Sequence, residues 1–251
     1  MIRTLVDLDG VILPASHPVH NKVFARCVSY TSRFFPDVTN PKKIIEINQS
    51  LYGTYGHTVI GINRLINKKG SDYKRLLPGF NDFVYGGIDD EAASCALGSN
   101  DLHQLREFYS AVPDIEVFSN VPPEWLERVG RSIGVVMRPV RSGGLLKPDP
   151  RVYEAISRDP GHYSKAIMFI DDAFKNLEPV MDDPRWIKVL FSKDPQNGPV
   201  RLREDMWVVS SLGQAVTVRR EFAGSQEGLE SIERVESVKT DDDVAIRFDV
   251  V

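Results

Sequence analysis

The chain has 251 residues, 42% of them hydrophobic and 26% charged, with a formal net charge of -4. That length suits one core with a large insertion better than two full domains. The mild acidity offers no basic footprint for nucleic acid, and no apolar run is long enough for a bilayer, so the expected partners are small molecules, with no nucleic acid and no membrane.

Residues 2–6 read as a short apolar strand that runs directly into Asp7-Leu8-Asp9-Gly10. No signal-peptide pattern precedes it, and a cytoplasmic setting is expected. Side chains alternate along a strand, so Asp7 and Asp9 project to one side at its carboxyl end. Carboxylates that close repel one another unless a cation sits between them, which implies a bound metal or a perturbed acid. The same four residues also make an ordinary turn after a strand.

About a hundred residues without a clear strand follow, too many for an ordinary connection, and they are expected to form an inserted helical cap over 14–111. Val19, Val23, Cys27 and Phe34 keep near-helical spacing behind Pro18, and Asn40-Pro41 opens a second helix with Ile44, Ile45 and Leu51. Tyr52, Gly53, Tyr55, Gly56 and His57 interrupt it, and Val59, Ile62, Leu65 and Ile66 resume a helical period up to Gly70. Further helices are expected over 88–97 and 102–108. Cys27 and Cys95 are too few for a disulfide scaffold and read as buried thiols.

Apolar runs then recur at 115–118, 135–137, 166–170, 187–191 and 207–209, separated by helical segments. Trp125, Leu126, Val129 and Ile133 share a face between Pro122-Pro123 and Gly134, and Asp149-Pro150 opens a helix with Val152, Tyr153 and Ile156. This alternation predicts an α/β fold: a Rossmann-like parallel sheet with helices on both faces. The core is expected over 1–13 and 112–215, with 216–251 an extension of unassigned role whose end, 244–251, alternates as a strand would.

Polar residues collect at the predicted strand ends. Ser119-Asn120 follows the second run, where a hydroxyl and turn N–H groups suit a phosphate oxygen, although Ser119 reads equally as a helix cap. Lys147 stands between Gly143-Gly144 and Pro148-Asp149-Pro150, a rigid setting for a group that neutralises developing charge; a solvated lysine is the plain alternative. The most apolar run ends in Asp171-Asp172, with Asn176 following, at the sheet edge where ligands of open parallel sheets bind. Carboxylates with few nitrogen or sulfur donors point to a hard cation, Mg²⁺.

The ordered set Asp7-x-Asp9, Ser119, Lys147 and Asp171-Asp172 with Asn176 resembles the haloacid dehalogenase superfamily of phosphohydrolases. The resemblance implies Asp7 as nucleophile and Asp9 as general acid and base, with Ser119, Asn120 and Lys147 at the phosphate. It implies Mg²⁺ held by Asp7, the Asp9 carbonyl and Asp172, with Asp171 and Asn176 supporting from the next layer. Dehalogenases of the superfamily lack a carboxylate where Asp9 stands, which implies phosphoryl transfer to water. The segments 51–62 and 169–176 resemble the pyrimidine 5'-nucleotidase branch, implying a nucleoside 5'-monophosphate such as UMP or CMP.

Tyr52, Tyr55 and His57 are candidates to stack on or hydrogen-bond to a base, or else they pack the cap; His20 is a further candidate or a solvated helix residue. Ala173 leaves the position after Asp172 without a hydroxyl. Other readings are a sugar-phosphate phosphatase or phosphomutase, a phosphonate hydrolase using Lys22, Lys42 or Lys43, and a non-catalytic binding module with the same fold.

Overall fold

The computed structural model describes residues 2–66, 72–88, 97, 99–159, 166–192, 194 and 197–224. Six strands form one sheet: β1 (Ile2–Val6), β2 (Ile115–Val117), β3 (Ala166–Asp171), β4 (Trp186–Phe191), β5 (Val200–Arg203) and β6 (Met206–Val209), in the order β2-β1-β3-β4-β6-β5. Every neighbouring pair is parallel except β5 with β6. Between β1 and β2 lie α1 (Val19–Ser32), α2 (Pro41–Tyr55), α3 (Thr58–Ile66), α4 (Leu77–Tyr85) and α5 (Ser99–Ala111). After β2 come α6 (Pro123–Ile133), α7 (Pro150–Ser157), the short α8 (Phe174–Leu177) and α9, spanning 212–224.

The central strands β1, β3 and β4 are mostly apolar because both of their faces are covered, with Arg3, Thr4 and Lys188 as buried exceptions. Leu5 pairs with Phe169 and, with Ile167 and Trp186, packs on Val152, Tyr153 and Ile156 of α7. The alternate residues Val6, Met168, Ile170, Ile187 and Val189 belong to a second cluster with Trp125, Leu126 and Val129 of α6 and Leu212, Ala215 and Val216 of α9. Two cores on opposite faces of one sheet make this an α/β fold of the expected class.

Several expectations need correction. Helix α2 runs through Tyr52 and Gly53 to Tyr55 and stops only at Gly56, whose φ of 77° is the left-handed value that ends helices. Helix α4, a helix the sequence does not mark, carries buried Leu77, Phe80 and Val84, with Pro78 in the first turn, where proline is tolerated. The run 135–137 is not a strand: pairing with β2 is reduced to an isolated bridge between Val117 and Pro139, which has no N–H to extend a ladder, and Val136 is 80% exposed. Strand β5, with all four residues exposed, lacks the apolar alternation that would reveal it.

Helix α9 crosses the expected boundary at 215. Val216 and Val218 are buried, and Arg219 donates to the Thr4 hydroxyl and the Ile2 carbonyl, so the core extends to at least residue 224. The strand expected over 244–251, Cys95 and most of the helix expected over 88–97 lie outside the described residues. No described helix is long and apolar enough to cross a membrane.

Candidate active site

Strands β1 and β3 run side by side, and the Asp7 N–H donates to the Ile170 carbonyl at 2.9 Å, so Asp7 and Asp171 emerge together at the carboxyl edge. Asp7, Asp171 and Asp172 each offer a carboxylate oxygen within 4.8 Å of the others. Gly10 makes this approach feasible. At φ 81° it turns the chain away, and a Cβ there would lie 2.0 Å from Oδ2 of Asp172, space that only glycine leaves open.

Lys147 is the counter-charge. Its ammonium is 1% exposed and lies 3.0 Å from Oδ2 of Asp7 and 2.6 Å from Oδ2 of Asp171. Burial works against its charge, but Asp171 and then Asp7 outweigh this and hold the ammonium above its ordinary value. Asp171 is completely buried and also accepts from Asn176 Nδ2, at 3.0 and 3.1 Å, and from the Ala173 N–H at 2.9 Å. Its oxygens are therefore engaged in fixing Lys147 and the turn.

Asp7 accepts the Leu8 N–H on Oδ1 at 2.7 Å. Burial pushes its carboxyl well up; Lys147 pulls it down, and Asp171 and Asp9 add to the rise. Three clustered carboxylates against one ammonium leave an excess of negative charge. A divalent cation would relieve it, and the all-oxygen donor set fits a hard ion such as Mg²⁺. Asp7 and Asp172 are the side chains placed to hold it.

Asp9 lies past the turn of the strand, its side chain 46% exposed, with Oδ1 3.6 Å from Nδ1 of His20. The His20 Nε2 is 3.1 Å from the Pro14 carbonyl, which fixes the ring. Crowding in the cleft still raises the Asp9 carboxyl, against the pull of His20 and then Lys147. His20 is thus brought to Asp9 and is not simply a solvated helix residue.

The Phe118 N–H donates to the Val6 carbonyl at 2.9 Å, which carries Ser119 to the same edge as Asp7. Helix α6 is capped at Pro122 with no side-chain bond, so the cap reading of Ser119 does not hold. Asn120, expected at the phosphate together with Ser119, spends its side chain on Lys147. Its Nδ2 donates to the Lys147 carbonyl at 2.9 Å and its Oδ1 accepts the Lys147 N–H at 2.7 Å, a reciprocal clamp that sets Lys147 in place.

The insertion reaches this edge at several points. Tyr73 accepts the Leu146 N–H at 3.0 Å, and Arg128 of α6 donates to the Tyr85 and Ile88 carbonyls. Tyr52 is 58% exposed, and its phenol is pushed up to about 12 by burial among the cleft walls and by Asp7, Asp9 and Asp172. Of the aromatic candidates, it is the one whose phenol feels the Asp7, Asp9 and Asp172 charges.

Tyr55 and His57 stand elsewhere. The Tyr55 ring lies against Gly61 of α3 and borders a cavity of about 490 Å³ with Tyr73, Pro148 and Arg151. His57 is buried, accepts the Val59 N–H on Nδ1 at 3.2 Å and packs edge-on to Phe80, so it serves the start of α3. Burial pushes His57 down to about 4 from 6.5, so its contribution to stability is complete above pH 6.5 and is lost as pH falls toward 4. His57→Asn, which keeps an acceptor for Val59, is expected to remove about 3 kcal/mol of that acid-side loss. Urea unfolding of both proteins at pH 7 and pH 4 measures it; equal losses would contradict the assignment.

Three residues near the site are not assigned to it by the sequence. Tyr85 ends α4, buried against Trp125 with ring centroids 5.5 Å apart, and burial followed by the Asp9 charge raises its hydroxyl. It could not be found without α4 itself. The Cys27 thiol is pushed up to about 12 by burial and then by Asp9; it was legible only as a core thiol. Lys175, inside the segment 169–176, bonds to the end of α2.

No protein-family model matches the chain, and no curated protein matches it. Among solved structures it is similar to the L-2-haloacid dehalogenase of Xanthobacter autotrophicus, at 15% identity over 88% of this chain and 99% of that one, with a TM-score of 0.49. It is also similar to a defluorinating L-2-haloacid dehalogenase (15% identity, 87% and 95% covered, TM-score 0.48). A third is a HAD family hydrolase from Deinococcus radiodurans R1 with bound phosphate and sodium (16% identity, 85% and 92% covered, TM-score 0.39). These neighbours are members of the haloacid dehalogenase superfamily, and none of the three is a pyrimidine 5'-nucleotidase.

Proposed function

We propose that this protein is a Mg²⁺-dependent phosphoric monoester hydrolase that works through an aspartyl-phosphate on Asp7 and acts on small phosphorylated metabolites, with nucleoside 5'-monophosphates as the preferred class. The observation that carries the reading is the buried pairing of Asp7 with Lys147 at 3.0 Å, with a second carboxyl, Asp9, two residues on.

The chemistry follows from charge. A carboxylate approaching a phosphate dianion meets repulsion, and Lys147, fixed by Asp171 and the Asn120 clamp, offsets it. Mg²⁺ held by Asp7 and Asp172 would supply further charge neutralisation on the phosphoryl oxygens. An Asp7 oxygen bonds to phosphorus, the ester P–O bond breaks, and Asp9 gives its proton to the leaving oxygen. Asp9, now a carboxylate, takes a proton from water as that water attacks the phosphorus. The bond to Asp7 breaks, inorganic phosphate leaves, and both acids return to their starting states.

Phosphate release from nucleoside monophosphates and sugar phosphates, with 2-chloropropionate as a halide-release control, tests the reading. Release is expected with Mg²⁺, to stop with EDTA, and to favour UMP and CMP. A sugar-selective profile would overturn the substrate class. Halide release without phosphate release would overturn the reaction.

A further inference from the structure

We propose that Lys175 is a positioning residue that holds the Tyr52 end of α2 against the substrate's leaving group, tying the inserted helices to the loop that carries Asp171 and Asp172. The inference rests on the hydrolase reading above and extends it to how the insertion is held.

Lys175 is itself firmly placed. The next residue, Asn176, donates to both oxygens of Asp171, and the Asn176 carbonyl accepts the Tyr153 hydroxyl at 2.6 Å. From this base the Lys175 ammonium reaches across to the insertion and donates to the Gly53 carbonyl at 2.6 Å and the Tyr52 carbonyl at 3.3 Å. Both carbonyls belong to the last turn of α2, where a cation is favoured; the Tyr52 carbonyl also accepts the Gly56 N–H at 2.8 Å, and the Gly53 carbonyl makes the shorter bond to Lys175.

A second contact fixes the same helix end. The position a Cβ would take at Gly56 lies 2.5 Å from Cδ of Pro148 and 3.1 Å from Cε of Lys175, so the end of α2 abuts both the Lys147 turn and the Lys175 stem. Tyr52 has its own carbonyl in this anchor, while its side chain is left exposed. With only two side-chain torsions, the phenol goes where the backbone puts it. Its raised hydroxyl stays protonated at neutral pH, so the side chain offers an aromatic face and a donor to a bulky leaving group.

Steady-state kinetics on the full chain with p-nitrophenyl phosphate and acetyl phosphate, whose leaving group is small, test the proposal. Lys175→Met is expected to raise KM for p-nitrophenyl phosphate about tenfold, with kcat and the acetyl phosphate constants within about twofold. Tyr52→Ala should give the same split, the double variant no further loss, and Lys175→Arg recovery. Hydrogen exchange in peptides covering 52–56 should quicken in Lys175→Met and not in Tyr52→Ala. Parallel loss on both substrates, additive effects or unchanged exchange would overturn the role of Lys175. A wild-type protein that releases phosphate from neither compound would overturn the hydrolase reading instead, and the exchange measurement keeps the two failures apart.

Discussion

Asp7→Asn is expected to abolish phosphate release, by about a thousandfold or more, while leaving the fold intact. The amide oxygen can still accept the Leu8 N–H that Oδ1 now accepts, and Lys147 keeps its shorter contact to Asp171, so no buried cation is orphaned. The substitution also removes a buried carboxyl whose ionisation burial disfavours, so the melting temperature should hold or rise slightly. What disappears is the nucleophile, since an amide cannot form the acyl phosphate. Phosphate release and thermal unfolding measured on one preparation check both halves. Near-normal turnover would show that Asp7 is not the attacking group, and gross unfolding would show that it serves the fold.

Lys147→Met should damage both activity and stability. The ammonium is enclosed by Asp7 and Asp171 and lies 5.3 Å from the ring centroids of Phe118 and Phe169, so methionine restores the packing of the stem and none of the charge. Two buried carboxylates are then left without their cation, a class of change that costs about 3 kcal/mol or more. For a chain of this size that is a fall of roughly 6–12 °C in melting temperature. Turnover should drop by about 10²–10³ through loss of the fixed positive charge at the phosphoryl group. Adding Asp171→Asn to Lys147→Met should return part of the stability and none of the activity. If stability is not regained, the loss came from packing rather than charge.

Much of the core was legible because its signals are local. An apolar run ending in a carboxylate marks both a central strand and a ligand edge, and β1 and β3 carry that pattern at Asp7 and at Asp171-Asp172. The Asn40-Pro41 and Asp149-Pro150 pairs marked helix starts, and in both cases the side chain accepts the N–H two residues on. The aromatic candidates were harder. Tyr52, Tyr55 and His57 share one short stretch, yet α2 and the turn after it send Tyr52 to the cleft, Tyr55 to α3 and His57 to a helix start. Composition carries no information on direction, because facing depends on where α2 ends, and that is decided by Gly56 against Pro148.

The residue order alone determined the fold class, the inserted helices between the first two strands, and the identity of the acids at the strand ends and of the lysine in the turn before α7. These depend on periodicity and on side-chain chemistry, both properties of neighbours along the chain. Only the tertiary structure decided that Asn120 clamps Lys147, that Asp171 holds the ammonium, that the Asp9 charge reaches Tyr85 and Cys27, and that Lys175 grips the end of α2. Such contacts join residues far apart in sequence, and their geometry exists once the sheet register and the packing of the insertion have brought the strand ends and helix ends to one edge.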